Sequence, residues 1–369
     1  MAGIYVHVPF CKQKCTYCDF ASFPKALGKA EAYFACLFRE IKGKSIGVND
    51  RLFNTIYFGG GTPSIVPTEY VGGALKQIRD NFNLIKDPEI TIELNPGTVN
   101  KNKVNDYIAF GINRFSIGLQ TADEQELKRL NRIHTAQDFI DTCNLLKGQN
   151  ISADVLIGLH DQTEKQLLDT LKLAVDCGVD HVSMYALTPE VGTPIYSDYL
   201  NGLLPSDDEV ADLYEAGVKF LQENGIERYE VSNFAKPGYE SKHNMNYWKR
   251  GEYLGFGVAA SSFWKERRFT NTFDIDEYMN AIISNKTPEV SSDLIEGDDR
   301  KNEFIMLALR TTSGVDKKRF KEEFSSDFDK EYGKPLSKMS SYLINDKDTL
   351  RIKDEYLFVQ NEIIINFFK

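Results

Sequence analysis

Strand-like and helix-like segments alternate through the first two-thirds of this chain. Six short apolar runs, from GIYVHVPF to DHVSMYALTP, are each followed by a helix-like stretch. Repeats of this kind predict a parallel sheet with helices packed outside it. The strands are apolar nearly throughout, as expected for parallel strands that are buried on both faces. We therefore predict an α/β fold.

The barrel that these repeats could form is predicted to be incomplete. A closed eightfold barrel would need two more strand–helix units of the same quality. The chain beyond Pro189 offers a helix-like stretch, then RYEVSNFA and the glycine-rich GEYLGFGVAASSFW. We predict an incomplete, splayed (β/α)6 barrel with its extension over residues 1–286. Ligands of parallel α/β folds bind at the carboxyl ends of the strands, so functional residues are expected there.

The pattern changes to helices from about Thr287, and the chain closes with a two-strand segment, TLRIKDEYLFVQNEI. Residues 287–369 are thus predicted to form a small helical domain with a β-wing. Winged helices often bind DNA, but residues 297–369 hold 14 Lys+Arg and 14 Asp+Glu. Because phosphate contacts need clustered basic residues, a lid or docking role is favoured over DNA binding.

Composition restricts the partners and the compartment. The net charge is −10, which argues against nucleic acid as a principal partner. The sequence contains no apolar run of ~18 residues, so no membrane span is expected. The N-terminus, MAGIYVHVPF, lacks the basic start and apolar helix of a signal peptide. Three of the six cysteines form a ligand-like array, which favours a reducing compartment, and we expect a cytoplasmic protein.

Cys11, Cys15 and Cys18 form a C-x3-C-x2-C array directly after the first strand. Thiolates are soft ligands that select zinc, copper(I) or iron–sulfur clusters. A structural zinc site takes four protein ligands, and the nearest fourth candidate, His7, lies on the strand itself. A [4Fe–4S] cluster held by three cysteines leaves one iron free to bind another molecule. The spacing favours the cluster, with zinc as the alternative.

The wider run, YVHVPFCKQKCTYCDF, resembles the cluster-binding loop of the radical SAM superfamily. Within that superfamily it is most similar to the oxygen-independent coproporphyrinogen III oxidase group and its HemW-type heme chaperones. The resemblance implies a radical SAM barrel, followed by a HemN-type C-terminal domain. It also implies that the open iron chelates S-adenosylmethionine (SAM), which an electron from the cluster cleaves to a 5′-deoxyadenosyl radical. An electron donor such as a flavodoxin would then be a partner.

A glycine-rich turn, Gly59-Gly60-Gly61-Thr62-Pro63, ends the second strand. Glycines let a ligand approach the backbone closely, and this turn resembles the superfamily motif that holds the methionine amino group of SAM. Any one matched residue could instead have a structural role, such as a salt bridge or a strand-end hydrogen bond. By matched position, the resemblance implies the SAM contacts Tyr5, Tyr17, Gly60, Gly61, Thr62, Glu93, Gln120, Arg132, Asp154 and Ala186.

A second feature is His243-Asn244-Met245-Asn246-Tyr247-Trp248. H-N-x-x-Y-W resembles a motif that marks the HemW branch. Imidazole can ligate heme iron, and flat aromatic rings can face a porphyrin. A lone histidine is more often structural, but here we interpret His243, Tyr247 and Trp248 as heme candidates. His7, His134, His160 and His181 are weaker candidates.

Departures from the family pattern help to choose among functions. The oxidase proper carries a fourth cysteine where this chain has Phe20, and it has an extension before its first strand. Both differences favour a heme chaperone that delivers heme to acceptor hemoproteins such as respiratory enzymes. The oxidase and a zinc-binding interaction protein remain alternatives. A third departure, His160-Asp161 in place of the usual G-L-P-x-Q-T pattern, leaves the backbone of that loop open.

Overall fold

The computed structural model describes residues 1–48 and 50–369 of the chain. Within these residues, twelve strands form one large open sheet in the order β12-β11-β10-β9-β1-β2-β3-β4-β5-β6-β8-β7. These strands are β1 (Ala2–Val8), β2 (Phe53–Gly60), β3 (Leu84–Leu94), β4 (Arg114–Gln120), β5 (Asn150–Ile157), β6 (His181–Ala186), β7 (Glu227–Arg228), β8 (Asn233–Ala235), β9 (Tyr253–Phe256), β10 (Ser261–Trp264), β11 (Arg267–Asn271) and β12 (Glu289–Leu294).

Helices lie between these strands, and one more follows the last of them. They are α1 (Ala30–Lys44), α2 (Thr68–Asn81), α3 (Lys101–Ala109), α4 (Glu124–Arg129), α5 (Ala136–Leu145), α6 (Glu164–Asp176), α7 (Pro194–Leu200), α8 (Asp207–Glu223), α9 (Lys242–Trp248), α10 (Ile275–Ile283) and α11 (Gly297–Ala308). Capping boxes begin α5, α6 and α8, at Thr135, Thr163 and Ser206. These side chains satisfy amide groups that a helix start leaves open.

The six predicted parallel strands are confirmed, and the sheet stays open as expected for an incomplete barrel. Neighbouring strands from β1 to β6 all pair in parallel. The glycine-rich stretch adds one strand that the sequence did not reveal as such, since β9 pairs with β1 in parallel. Beyond it, β10, β11 and β12 continue the sheet as antiparallel strands.

The main hydrophobic core lies between this sheet and its helices. Val6 and Val8 of β1 and Phe58 of β2 are fully buried, as are Leu37 of α1 and Leu75 of α2. At ~25 cal/mol per Å² of apolar surface, such burial is the main stabilising term. The carboxyl ends of the parallel strands are thereby held in fixed positions along one edge.

A buried carboxylate fastens α1 to the antiparallel part of the sheet. Glu40 is 4% exposed and accepts hydrogen bonds from the backbone amide of Gly257 (2.7 Å) and from the Tyr278 hydroxyl (2.7 Å). Asn271 Nδ2 donates to it as well (2.7 Å), and Lys44 Nζ lies 2.8 Å away. Buried charges persist only when paired and hydrogen-bonded, and Glu40 has both kinds of partner.

The C-terminal residues enclose a second hydrophobic core around Phe304, Phe320, Leu350 and Ile364. Its further elements are β13 (Val315–Asp316), α12 (Lys317–Phe324), α13 (Phe328–Glu331), α14 (Gly333–Lys338), β14 (Leu343–Asn345), β15 (Thr349–Ile352) and α15 (Gln360–Ile364). The strand order is β13-β15-β14. The domain boundary between residues 286 and 287 stays a prediction.

The predicted β-wing is displaced along the chain. The sequence pattern predicts two strands within residues 349–363, but the hairpin pairs Leu343–Asn345 with Thr349–Ile352. Residues 360–364 form a helix instead. Its Ile363 and Ile364, together with Leu357 and Phe367, are buried in the second core, and this helical packing outweighs the strand propensity of the apolar residues.

No helix in the described part of the chain is long and apolar enough to cross a membrane.

Candidate cofactor site

The cysteine loop follows β1 and is held from two sides. The amide of Thr16 donates to the carbonyl of Leu130 (3.1 Å), just after α4. The amide of Ile195 in α7 donates to the carbonyl of Thr16 (3.1 Å). Cys11 is buried and Cys15 and Cys18 are half-buried. The three thiols are therefore presented by a loop whose backbone is tied to the neighbouring helices.

The loop borders a cavity of about 400 Å³ at the carboxyl ends of the strands, which we call the cysteine cavity. All three predicted cluster cysteines line it. Nine of the ten predicted SAM contacts line it as well: Tyr17, Gly60, Gly61, Thr62, Glu93, Gln120, Arg132, Asp154 and Ala186. These residues come from five strands and three loops, so the fold brings together groups that are far apart in sequence.

Two glycines of the turn after β2 are required by close contacts. A Cβ atom on Gly61 would lie 2.7 Å from the carbonyl oxygen of Phe10 and 3.0 Å from Cys11 Sγ. A Cβ atom on Gly60, whose φ is +113°, would lie 2.5 Å from the His7 ring. The turn thus packs directly against the start of the cysteine loop, and Thr62 Oγ1 donates to Cys11 Sγ (3.5 Å).

We expect Gly60→Ala to lower the free energy of unfolding by about 3 kcal/mol or more, because left-handed backbone strain adds to the collision with His7. Gly148→Ala is the matched control, since Gly148 has φ +88° with nothing within 4 Å of its Cβ position. It should cost about 1–2 kcal/mol from backbone strain alone. Urea unfolding of both variants measures the difference, and equal losses would contradict the close packing.

Arg132 joins the cysteine loop to the strand ends. Its Nη1 lies 3.5 Å from Cys15 Sγ and 3.4 Å from the Tyr17 hydroxyl, and its Nη2 donates to the carbonyl of Gly118 (2.8 Å). Nη2 also donates to Asn95 Oδ1. In the described structure Arg132 Nε is buried without a hydrogen-bond partner. A guanidinium at this place offsets thiolate charge.

Two carboxylates face the cavity from β3 and β5. Glu93 accepts from the Tyr57 hydroxyl (2.9 Å) and from the Gly60 amide (3.1 Å). Burial, helped by the nearby charge of Asp154, raises the pKa of Glu93 to about 7. Burial also raises the pKa of Asp154, although hydrogen bonds from Ser116 and Ser183 oppose the shift. The site therefore favours a cationic ligand that would ionise both groups.

Sequence reasoning missed several polar residues of this cavity. Asn95 Nδ2 donates to Thr62 Oγ1 (3.3 Å), and Ser116 Oγ donates to Asp154 (3.1 Å). Arg114, Ser183 and Tyr57 also line the cavity. A signal was present, because polar residues interrupt strands that are otherwise apolar and buried.

The three thiols suit a centre that takes thiolate ligands. Burial raises the pKa of Cys11 and of Cys18, while donors such as Thr62 act in the opposite direction at Cys11. A bound metal centre would stabilise the deprotonated form. No three His, Cys, Asp or Glu side chains among the described residues are placed to share a single metal ion.

A second cavity, of about 460 Å³, adjoins the first, and we call it the tyrosine cavity because Tyr5, Tyr247 and Tyr253 line it. Gly60 and Glu93 border both cavities. Tyr5, predicted as a SAM contact, lies in this second wall and donates to His7 Nδ1 (3.0 Å).

The H-N-x-x-Y-W motif forms α9, a helix that the sequence did not indicate, and this helix lies between the two cavities. Asn244 lines the cysteine cavity and Tyr247 lines the tyrosine cavity. His243 is 1% exposed, with Nδ1 2.8 Å from Thr55 Oγ1 and Nε2 2.7 Å from the Tyr247 hydroxyl. Trp248 packs beneath the Arg310 guanidinium (5.8 Å to the ring centre).

Both ring nitrogens of His243 are thus occupied. Burial lowers the pKa of His243 to about 3, so the ring is neutral and has one donor and one acceptor nitrogen. As an iron ligand it would have to give up one of these hydrogen bonds. In this structure its direct effect is to fix the Tyr247 hydroxyl in the wall of the tyrosine cavity.

The loop with His160-Asp161 is closed by its own side chains. Gln162 Oε1 accepts from the amide of Gly158 (2.9 Å), and Asp161 adopts φ +46°. The His160 ring bridges Glu126 (2.8 Å) and Asp198 (3.0 Å). It therefore links α4 to α7, the two regions that hold the backbone of the cysteine loop.

Comparison with known proteins gives two family matches. Residues 5–174 match the model of the Radical SAM superfamily, and residues 295–359 match that of the HemN C-terminal domain. The heme chaperone HemW of Lactococcus lactis is 32% identical over 98% of this chain and 96% of that protein. The heme chaperone HemW of Escherichia coli is 34% identical over 86% of this chain and 85% of that protein.

The fold has a solved counterpart. The structure of coproporphyrinogen III oxidase (HemN) from Escherichia coli, described as a radical SAM enzyme, superposes with a TM-score of 0.88. The superposition covers 100% of this chain and 90% of the HemN chain, at 20% sequence identity. At that identity the likeness establishes the architecture. Together with the two family matches, it confirms the predicted radical SAM barrel with a HemN-type C-terminal region.

Proposed function

The chain belongs to the family of the HemW heme chaperones within the radical SAM superfamily, and from this premise we propose that it binds heme and delivers it to acceptor hemoproteins. In this proposal Cys11, Cys15 and Cys18 hold one [4Fe–4S] cluster, and SAM occupies the cysteine cavity. The observation that most supports these two cofactors is that the three thiols, the glycine turn and two carboxylates all line that one cavity.

The residues of the cysteine cavity fit these cofactors chemically. Three thiols supply soft ligands and leave one iron of a cluster for another molecule. Glu93 and Asp154 suit the cationic ammonium and sulfonium groups of SAM, while Arg132 suits its carboxylate. The bound cluster would supply an electron to SAM, and the protein would position the two and exclude water. Gly60 and Gly61 leave room for a ligand at the backbone.

Glu93 makes SAM binding pH-dependent in this proposal. Because its pKa is about 7, the side chain is negatively charged above this pH and is neutralised by protonation below it. We expect the affinity for SAM to fall by about tenfold between pH 8 and pH 6, since one proton must then be released on binding. Calorimetric SAM titrations of the reconstituted protein measure this.

The control for that titration is Glu93→Gln, which removes the titrating group and keeps the side-chain shape. At pH 8 this variant should bind SAM more weakly than the wild type does. Its SAM affinity should also change less between pH 8 and pH 6, because Glu93 no longer titrates. A variant whose affinity follows pH as steeply as the wild type would exclude Glu93 as the titrating contact.

The heme role rests on family membership and on the motif in α9. His243, Tyr247 and Trp248 stay our heme candidates, with distinct parts. Tyr247 can face a porphyrin directly, because its ring lies in a cavity wall. His243 would position Tyr247 unless it exchanges a hydrogen bond for iron. Trp248 would act through its contact with the C-terminal region.

Only the likeness of the fold favours the alternative enzyme, coproporphyrinogen III oxidase. Phe20 stands at the position where the oxidase is expected to carry a fourth cysteine. It lines both cavities and is 64% exposed. The difference therefore lies within the site, and it favours the chaperone. A zinc-binding interaction protein remains the other alternative.

Two measurements on anaerobically purified protein test the proposal. Iron and acid-labile sulfide in equal amounts are expected, whereas zinc without sulfide would support the interaction protein. Heme titration followed by absorbance should then show saturable binding to the reconstituted chain. A chain that carries its cluster but binds no heme would overturn the chaperone function.

A further inference from the structure

The tyrosine cavity is a space that the cluster and SAM leave unexplained. Its volume of about 460 Å³ is typical of pockets for ligands of drug size. Its lining residues come from β1, the end of the cysteine loop, α9 and the β9–β11 region, and Leu307 of α11 lines it as well. A ligand in it would thus contact both the barrel and the C-terminal region.

Two of the aromatic rings that line this cavity are largely exposed. Phe20 and Phe273 line it, and each has 64% of its surface accessible to solvent. Phe263, Tyr247 and Tyr253 line its interior. Large exposed rings that border one cavity indicate a flat apolar ligand, which would remove their surface from water.

Two arginines line the cavity, and they differ in how far they are exposed. Arg250 is buried and paired with Glu266 (2.5 Å) and Glu303 (2.6 Å). Arg268 also pairs with Glu303 (2.5 Å) and donates to the Tyr253 hydroxyl (2.8 Å), but 36% of its side chain is exposed. Arg268 is therefore the lining arginine that can meet a ligand carboxylate.

The wall between the cavities connects their occupants. Glu93 and Gly60 border both spaces, and α9 places Asn244 in one and Tyr247 in the other. The side chain of His243 lies between them, stacked on Tyr57 of the cysteine cavity at 5.2 Å and bonded to Tyr247. An occupant of the tyrosine cavity would thus lie directly beside the SAM site.

We infer that the tyrosine cavity is the heme site, with the macrocycle against Phe20 and Phe273 and a propionate at Arg268. This assignment rests on the proposed heme function, and it adds the place of binding and the groups that recognise the ligand. The apolar face of a porphyrin matches the exposed rings, and its carboxylates match the exposed guanidinium. Heme would then lie next to the cofactors of the barrel.

Heme titration of Phe273→Ala tests the apolar contact. The full-length, reconstituted variant should bind heme at least about tenfold more weakly than the wild type, as expected for the loss of one buried ring. Phe368→Ala is the matched control, because Phe368 is 43% exposed and lies outside both cavity walls. Equal iron contents and equal unfolding midpoints in all three proteins exclude indirect effects.

Heme dimethyl ester, which lacks free carboxylates, tests the polar contact. The wild type should prefer heme over the ester by about tenfold, and Arg268→Gln should remove most of that preference. If Phe273→Ala and Arg268→Gln bind heme as tightly as the wild type, heme binds elsewhere and the inference is wrong. If the wild type itself binds no heme, the proposed function fails instead.

Discussion

Cys15→Ser is expected to retain less than about a tenth of the iron of the wild type after anaerobic reconstitution. Serine is a poor ligand for iron in a cluster, and with two remaining cysteines the loop offers too few thiolates. Cys15 also carries the contact to Arg132 Nη1 (3.5 Å), so the loop loses a tie to the strand ends at the same time.

Cys177→Ser is the control for this result. Cys177 is half-buried at the end of α6 and plays no part in the cysteine loop, so its iron content should equal that of the wild type. Iron and sulfide analysis, together with the visible absorption of the cluster, measures both variants. A Cys15→Ser protein with full iron and sulfide would refute the assigned ligand set.

Glu40→Ala is expected to lower the free energy of unfolding by about 3–5 kcal/mol, the cost of breaking a buried charge pair from one side. The change leaves the Tyr278 hydroxyl and the Gly257 amide without their acceptor, and it removes the carboxylate that pairs with Lys44 Nζ. It also loosens the segment from Gly257 to Ser261, and Ala259 and Ser261 of that segment line the tyrosine cavity.

Urea unfolding of Glu40→Ala and of Glu31→Ala provides the comparison. Glu31 lies on the same helix but is exposed, so its loss should change stability by within about 0.5 kcal/mol. Similar small effects in both variants would show that Glu40 is replaceable by water or by a shifted neighbour.

The parallel part of the fold could be predicted because its strands carry a strong local signal. Runs such as TIYFGG and ADVLIG are apolar and short, and each is followed by an amphipathic helix. The antiparallel extension gave no such signal. The turn between β10 and β11 uses Lys265 and Glu266 at φ +49° and +61°, although hairpin turns of this shape usually contain Gly or Asn.

The candidate site could be predicted from the sequence only in part. The cysteine spacing alone indicated soft-metal chemistry, because the three ligands lie on one loop. Arg132 is 117 residues from Cys15, and only the family resemblance brought them together. The placement of α9 between two cavities was hidden as well, since a seven-residue helix is too short for its periodicity to be recognised.

His160 shows how a departure from a family pattern can preserve its geometry. The residue replaces the usual proline, yet the loop is closed by Gln162, and the imidazole bridges Glu126 and Asp198. In a family defined by its cysteine loop, such a bridge stabilises the regions around α4 and α7 that hold this loop in place.

An anaerobic turnover assay tests the central claim most directly. The cluster-reconstituted protein is supplied with SAM, a reductant and coproporphyrinogen III, and protoporphyrinogen is measured by mass, with 5′-deoxyadenosine followed in the same sample as evidence of a working cluster. A heme chaperone should leave coproporphyrinogen III unchanged in a sample whose cluster still cleaves SAM. Protoporphyrinogen formed over many turnovers would contradict the account and identify an oxidase that works with Phe20 in place of a fourth cysteine.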